Sequence, residues 1–333
     1  MPLAKHVAVL MGGWSAEREV SLRSGRACAE ALEKQGYRVT KIDVGRDIAS
    51  VLQTLRPDAA LNVLHGRPGE DGTLQGILEI AGIPYSHSGV LASAMAMQKD
   101  LAKTVFRAAG VPTPGGRLVS RVAAAKEHAL ERPYVLKPVS EGSSVGVFIV
   151  TKQHEHPPQE LTRTDWGFGE VLLAEPFIKG KELTCAVMGD EALGVIEIVP
   201  TADFYDYEAK YAPGGSTHIL PAKISPFVYQ EVRRLSLAAH RALGCRGVSR
   251  ADFRWDDTVE GAGGLVCLEV NTQPGMTETS LVPELAAHAG IPFVELVQWM
   301  IEDASLNRYR GPQGRAAGLR LPAAAGSAVP RAA

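Results

Sequence analysis

Apolar runs alternate with amphipathic segments over the first hundred residues. Residues 7–11 form a continuous apolar run that closes on a glycine pair, the pattern of a strand buried on both faces. Helical spacing follows, with Ser15 as the predicted cap and Gly36 as the stop. Strands and helices joined by short loops predict a parallel sheet with right-handed crossovers. Its other strands are predicted at residues 37–43 and 59–64.

Two polar loops, residues 12–19 and 65–72, each directly follow a strand of this predicted sheet. Ligands of parallel sheets collect at the carboxyl ends of the strands, so both loops lie where a site is expected. Glu17 in the first loop can bind a substrate ammonium, or it can be a helix-start acid stabilised by the helix dipole. The sequence does not separate these two interpretations.

Short strands dominate the chain after a predicted helix at residues 99–109. Pro112 and Pro114 mark a boundary there, and strands bunched after an alternating half predict a separate α+β lobe. The expected fold class is therefore α/β followed by α+β. The later strands are predicted at residues 133–137, 145–150, 171–174, 183–188, 192–199, 247–254 and 265–271, and the later helices at 227–243, 281–289 and 293–301.

Composition and charge exclude two classes of protein. Lys plus Arg total 35 and Asp plus Glu total 37, a net charge of −2 that argues against a nucleic-acid binder relying on bulk positive charge. No apolar stretch approaches the ~20 residues of a membrane span, and the first apolar run is too short for a secretory signal. We expect a cytoplasmic protein with no nucleic-acid or membrane partner. Its cysteines, which form no C-x-x-C pair, are expected to be buried free thiols: Cys28, Cys185, Cys245 and Cys267.

Residues 307–333 differ in composition from the rest of the chain. They hold eight Ala, four Gly, three Pro and five Arg with no acidic residue, so they lack the apolar groups needed to fold alone. A disordered tail is the favoured interpretation. A basic interaction arm is the alternative.

Two predicted strands carry paired polar residues within apolar surroundings. Arg250 and Asp252 are two apart, as are Glu269 and Asn271, so each pair points to one face of its strand. If the strands are neighbours, Asp252, Glu269 and Asn271 supply converging oxygen ligands without His or Cys, which favours Mg²⁺ beside a guanidinium. The alternative is an Arg250–Glu269 ion pair.

Three loops add candidate chemistry. Lys137 ends a strand before a Gly/Ser loop, residues 140–146, whose N–H groups and hydroxyls can cradle phosphate, although an ordinary β-turn has the same composition. Residues 204–211, with four aromatics, suit a lid over a ligand or a surface loop. The backbone N–H groups of residues 271–280 can bind an anion, and Ser280 can cap the next helix. No loop fits a Walker A or Rossmann glycine pattern, which argues against a dehydrogenase.

Taken in order, these segments resemble the D-alanine–D-alanine ligase family of the ATP-grasp superfamily. The resemblance spans residues 12–283 and implies an ATP-grasp architecture with an N-terminal parallel-sheet (pre-ATP-grasp) domain. Met97-Gln98-Lys99 departs from the family's usual Met-Asp-Lys but keeps the lysine. The matching stretches are GGWSAEREVSL, HGRPGEDGTLQG, LKPVSEGSSVGV, FYDYEAKY, SRADF and LEVNTQPGMTETSLVP.

The resemblance implies domains at residues 1–98, 99–182 and 183–306. It also implies ligation of two D-alanines through an acyl phosphate, for peptidoglycan precursor synthesis. The expected cofactors are ATP, two Mg²⁺ or Mn²⁺ and a monovalent cation such as K⁺, in a homodimer. Another ATP-grasp ligase with a different amino-acid pair is the alternative, and a catalytically silent scaffold would have lost Arg250, a metal ligand or the Gly/Ser loop.

The resemblance also implies roles for single residues. For the nucleotide they are Lys99, Lys137, Glu141, Gly142, Ser144, Glu175, Phe177, Ile178, Glu182, Phe204 and Leu268, and for the metal Asp252, Glu269 and Asn271. For the first D-alanine it is Glu17, with Ser143 and Tyr211 linking the lid to its pocket and Lys210 reaching the phosphate, and His65 is a further substrate contact. For the oxyanion they are Arg250 and the Gly275 amide, and for the second carboxylate Ser280 and Leu281.

Overall fold

A parallel sheet of three strands forms the N-terminal part of the molecule. The computed structural model describes residues 4–142, 145–200 and 215–306 of the chain. Strand β1 (His6–Met11) is buried along its whole length and lies between β2 (Arg38–Asp43) and β3 (Ala59–Asn62). Both neighbours run parallel to β1, so the sequence-based prediction of a parallel sheet is confirmed.

The helix predicted at residues 99–109 is confirmed, whereas the first predicted helix begins later than expected. The predicted cap Ser15 is wrong, because helix α1 (Arg18–Lys34) begins later and Glu17 occupies the cap position. Ser15 Oγ instead accepts a hydrogen bond from the Glu17 N–H at 3.2 Å, which places Glu17 at the sheet edge. The helices that follow are α2 (Ile48–Leu55), α3 (Thr73–Ala81), α4 (Val90–Met97) and α5 (Lys99–Ala108).

A four-stranded antiparallel sheet comes next along the chain. Its order is β4-β7-β5-β6, and β6 is shorter than the predicted strand at residues 145–150. Tyr134, Leu136, Leu172 and Ala174 are buried in a core that belongs to this sheet. Its elements are β4 (Arg117–Ser120), helix α6 (Arg121–Ala124), β5 (Tyr134–Pro138), β6 (Phe148–Val150), a 3-10 turn (Gln159–Thr162) and β7 (Val171–Pro176).

A five-stranded antiparallel sheet completes the fold, in the order β10-β9-β8-β11-β12. One core joins it to the N-terminal sheet, because Val9 of β1 and Ile196 of β9 belong to the same cluster as the C-terminal helices. The elements are β8 (Lys181–Met188), β9 (Glu191–Pro200), β10 (Ser216–Ile219), helix α7 (Pro226–Ala242), β11 (Val248–Trp255), β12 (Leu265–Asn271), α8 (Leu281–His288) and α9 (Phe293–Glu302).

Two further features of these elements concern the length of the helices and the environment of the cysteines. No helix within the described residues is long and apolar enough to cross a bilayer. The four cysteines are free thiols, three of them buried and Cys245 half-buried. Burial raises the pKa of each thiol above its ordinary value. The predicted boundaries at residues 98 and 182 stay a prediction.

Two buried histidines predict a loss of stability in mild acid. Burial lowers the pKa of His87 to about 4, and it lowers the pKa of His240 to about 4 as well. Unfolded histidine titrates near 6.5, so the neutral fold is fully stable above that pH and loses up to about 3 kcal/mol per histidine as the pH falls toward 4. Urea unfolding between pH 7 and pH 4.5 measures this loss.

A single substitution tests whether His240 causes part of the stability loss at low pH. His240→Gln keeps a polar partner for Ser249 Oγ, which lies 2.7 Å from His240 Nδ1, and removes the titration. We expect a smaller pH dependence of the free energy of unfolding in this variant and an unchanged one in the control His288→Gln. Equal pH dependence in both variants would contradict the prediction.

Candidate active site

One cavity of about 1120 Å³ collects the candidate residues. It is lined by the two antiparallel sheets, by the loops after β1 and β3, and by the loop between β12 and α8. Ser143, Ser144, Phe204, Lys210, Tyr211 and the predicted tail lie outside the described residues. The lining includes all the other predicted residues: Glu17, His65, Lys99, Lys137, Glu141, Gly142, Glu175, Phe177, Ile178, Glu182, Arg250, Asp252, Leu268, Glu269, Asn271, Gly275, Ser280 and Leu281.

The paired polar residues meet on neighbouring strands, as their spacing predicts. Strands β11 and β12 are antiparallel, with Arg250 opposite Asn271 and Asp252 opposite Glu269. The register shifts directly after Asp252, where Leu268 is the extra residue of β12.

Asp252, a candidate metal ligand, is held by three hydrogen bonds from two side chains. Its carboxylate accepts hydrogen bonds from Thr184 Oγ1 at 2.6 Å and from Arg250 Nε and Nη2 at 2.9 and 2.7 Å. The bidentate partner of Arg250 in this structure is therefore Asp252. Asn271 Oδ1 accepts from the Gln273 N–H at 2.8 Å, which fixes the direction of its side chain.

The donor set fits a hard divalent cation. Two carboxylates and one amide oxygen are the ligand types that Mg²⁺ and Mn²⁺ take in proteins. Within the described ranges, no three residues of the His, Cys, Asp and Glu types come together as a metal cluster. Asn271 is therefore the natural source of a third protein oxygen beside Asp252 and Glu269.

A buried carboxylate between two lysines forms the opposite wall. Glu175 Oε1 lies 2.6 Å from Lys103 Nζ, and Glu175 Oε2 lies 2.6 Å from Lys137 Nζ. Burial acts to raise the pKa of Glu175, but the two lysine charges outweigh it and hold the pKa below its ordinary value. Burial lowers the pKa of Lys103 to about 8. The Lys103 contact is an ion pair rather than an aligned hydrogen bond.

Lys103 is a residue that the sequence reasoning missed. It is 2% exposed, one turn after Lys99 on α5, and this i, i+4 spacing places both lysines on the same helix face. Lys99 Nζ donates to the Glu141 carbonyl and lies 3.5 Å from Glu269 Oε2. The spacing was the available signal for Lys103. Helix α5 thus links the lysine-rich wall to the carboxylates of β12.

The segment after β7 forms an aromatic edge of the cavity. The Phe177 N–H donates to the Pro133 carbonyl at 3.1 Å, and the Arg254 guanidinium lies 5.6 Å from the centroid of the Phe177 ring. Arg254 also donates to the Ile178 carbonyl at 3.0 Å and pairs with Glu182 at 3.4 Å. Arg254, also missed, holds this segment against β11.

Acidic groups concentrate at the edge of the parallel sheet. His65 Nδ1 lies 3.5 Å from Glu70 Oε1, and Glu17 is 8% exposed beside them. Burial acts to lower the pKa of His65, but the Glu70 and Glu17 charges raise it above its ordinary value. Burial raises the pKa of Glu70. A Cβ on Gly142 would lie 3.8 Å from Glu17 Oε2, so the Gly/Ser loop reaches this edge.

The loop after β12 is folded on itself next to α8. Ser280 occupies the predicted cap position of α8, but its hydroxyl makes no cap hydrogen bond there. Ser280 Oγ accepts instead from the Thr277 N–H at 3.0 Å. A Cβ at Gly275 would lie 2.9 Å from Ser280 Oγ, so the close approach of these two residues depends on glycine.

Comparisons with known proteins place the chain among relatives of one kind. Residues 113–302 match the family described as D-ala D-ala ligase C-terminus, and residues 48–88 match D-ala D-ala ligase N-terminus. Proteins named D-alanine–D-alanine ligase from Rhodopseudomonas palustris (strain BisA53) and Azorhizobium caulinodans are each 71% identical. Both alignments cover 92% of this chain and 100% of the relative.

Solved structures agree with this grouping. A D-alanine–D-alanine ligase from Bacillus anthracis is 34% identical with a TM-score of 0.75, covering 90% of this chain and 97% of that one. Its complex with ATP is 31% identical with a TM-score of 0.73, covering 91% and 98%. The VanG D-Ala:D-Ser ligase from Enterococcus faecalis is 30% identical with a TM-score of 0.74, covering 90% and 98%.

The lysine pair around Glu175 predicts a charge-dependent stability. Lys103→Met leaves the buried carboxylate with one cation, so we expect a loss of about 1–3 kcal/mol in the free energy of unfolding, measured by urea titration. The double variant Lys103→Met, Glu175→Gln should recover most of that loss. Lys126→Met at an exposed position is the control. If the double variant is no more stable than Lys103→Met alone, the carboxylate is not the cause.

Proposed function

The chain belongs to the D-alanine–D-alanine ligase family, and we propose how its cavity joins two D-alanine molecules with ATP. In this reaction the carboxylate of the first D-alanine takes the γ-phosphoryl group of ATP and becomes an acyl phosphate, and ADP is released. The amine of the second D-alanine attacks the acyl carbon, a tetrahedral intermediate forms and phosphate leaves. The product, D-alanyl-D-alanine, serves peptidoglycan precursor synthesis.

The arrangement of the cavity is the observation that carries the proposal. The lysine wall, the Asp252 and Glu269 carboxylates and the acidic sheet edge line one cavity. Lys99 Nζ lies 3.5 Å from Glu269 Oε2, and a Cβ on Gly142 would lie 3.8 Å from Glu17 Oε2. A phosphoryl group passing from nucleotide to amino acid needs cations along its path and an acid at its destination that holds an ammonium, and the cavity supplies both.

We assign the nucleotide to the lysine-rich wall. Lys99 and Lys137 would bind the phosphates with the Glu141–Gly142 backbone, and adenine and ribose would lie along Glu175, Phe177, Ile178 and Glu182, with Leu268 below. Two Mg²⁺ or Mn²⁺ ions held by Asp252, Glu269 and Asn271 would neutralise phosphoryl charge. Lys103, buried behind Glu175, would keep that carboxylate ionised beside Lys137.

We assign the first D-alanine to the sheet edge. Glu17 would hold its ammonium, and His65 would contact it from the neighbouring loop. The edge has two carboxylates, Glu17 and Glu70, against one imidazole, so its charge suits a cation. The Gly142 backbone approaches Glu17 from the phosphate side, which keeps the donor next to the nucleotide.

We assign the second D-alanine to the N-terminus of α8. The first N–H groups of a helix have no acceptor within the helix, so Ser280 and the Leu281 N–H suit a carboxylate. Arg250 and the Gly275 amide would stabilise the oxyanion of the tetrahedral intermediate. The roles of Ser143, Ser144, Phe204, Lys210 and Tyr211 stay predictions, as do the homodimer, the cytoplasmic location and K⁺ activation.

The first experiment measures product formation with purified protein, ATP and Mg²⁺. We expect phosphate release with D-alanine alone, matched one to one by dipeptide, and none with L-alanine. D-serine or D-lactate added to D-alanine should add little mixed product. A mixed D-alanyl-D-serine product as the main one would favour the activity named for the VanG relative. No release with any substrate would contradict the proposal.

Replacing Arg250 should impair turnover, whereas replacing Asp252 should impair nucleotide binding, although the two side chains form an ion pair. Arg250→Ala should lower kcat by about 100- to 1000-fold and keep Mg²⁺-dependent nucleotide binding, because the Asp252 carboxylate remains. Asp252→Asn should lose that binding, because an acidic ligand is gone. Calorimetry with ADP and Mg²⁺ separates the two. Loss of binding in both variants would mean that Arg250 serves the nucleotide rather than the transition state.

A further inference from the structure

A histidine–carboxylate pair that none of the assigned roles uses lies in the same cavity. His218 on β10 and Glu284 on α8 both line it, and His218 Nδ1 lies 2.7 Å from Glu284 Oε2. A carboxylate only accepts, so the imidazole N–H donates. The side chains are 21% and 33% exposed, so the pair is partly desolvated. The other ring nitrogen, Nε2, lies 3.4 Å from Ser216 Oγ.

Glu284 lies close to the proposed acceptor site. It follows Ser280 by four residues, and its N–H donates to the Ser280 carbonyl at 3.2 Å. Residues four apart share a helix face, and helical side chains lean toward the N-terminus of their helix. The Glu284 carboxylate therefore leans toward the end of α8 that receives a carboxylate in the proposed function.

An uncompensated charge at this position would oppose binding. The acceptor brings a carboxylate to a helix end, and a second carboxylate in the same partly desolvated space repels it. Glu278, two residues before Ser280, also lines the cavity and adds to the negative potential. The acceptor end thus needs a positive or donating group on Glu284, and His218 supplies it at 2.7 Å.

We propose that His218 masks the Glu284 carboxylate and thereby sets the affinity of the acceptor site for an amino acid with a free carboxylate. His218 is in this role a positioning and specificity residue, since it acts through Glu284 and not on the reacting atoms. The inference rests on the proposed function, because it assumes an acceptor carboxylate at Ser280 and Leu281.

A simple mechanical role is the competing explanation. The pair also links β10 to α8, and loss of this link would disturb the shape of the cavity independently of the Glu284 charge. The two explanations differ in what Glu284→Gln does to a His218 variant. If His218 acts by masking, Glu284→Gln removes the unmasked charge and restores acceptor binding in the His218 variant. If the pair is only a mechanical link, Glu284→Gln does not restore binding.

The experiment is a double-mutant cycle on dipeptide formation. His218→Ala should raise the D-alanine concentration that half-saturates the acceptor site by about tenfold and leave the constants for ATP and the donor site unchanged. Glu284→Gln alone should match or improve on the wild type. The double variant should return to within about twofold of Glu284→Gln alone. Thr217→Ala, an exposed neighbour on β10, is the matched control.

Two outcomes would overturn the inference. One is a His218→Ala variant with an unchanged acceptor constant, and the other is a double variant as impaired as His218→Ala. If His218→Ala does not fold, His218→Phe, which keeps a ring at this position but has no donor for Glu284, takes its place in the cycle. Wild-type protein that forms no dipeptide would instead overturn the proposed function, and this inference with it.

Discussion

The register of β11 against β12 is the constraint on which the site depends. It places Asp252 opposite Glu269 and Arg250 opposite Asn271 on one face, so three candidate oxygen ligands and a guanidinium converge from two strands. A slip of β12 by one residue would turn Glu269 and Asn271 to the opposite face. The roles proposed for the lysines, the acidic edge and α8 depend on their positions around these four residues.

The charges that line the cavity are paired with one another in this structure. Asp252 is engaged by Arg250, and Glu175 by Lys137, with Lys103 buried behind it. A buried charge without a partner costs several kcal/mol, so cations intended for a polyanionic substrate are best kept paired with acids of the protein. In the proposed function, we expect Arg250 and Lys137 to exchange these pairs for contacts with the ligand.

Sequence reasoning found the features that depend on local spacing and missed those that depend on distant contacts. The i, i+2 pairs on the two strands were readable because alternation fixes a face. The Lys103–Glu175 and His218–Glu284 pairs join residues 72 and 66 positions apart, and no periodicity links such partners. The wrong cap at Ser15 is a local failure, since several polar residues precede α1 and composition alone does not choose among them.

The distribution of cores explains why both long-range pairs matter. Leu281 and Leu285 of α8 share a core with β1, so the sites proposed for the two D-alanine molecules are built on one packed body. The sheet that carries Lys137 and Glu175 has its own core. Lys103, on α5, therefore links two separately packed parts of the molecule through its ion pair with Glu175. This polar contact fixes the position of Glu175 relative to α5, which no shared apolar core does. His218 acts within a single body, so its effect should be electrostatic and should leave the fold unchanged.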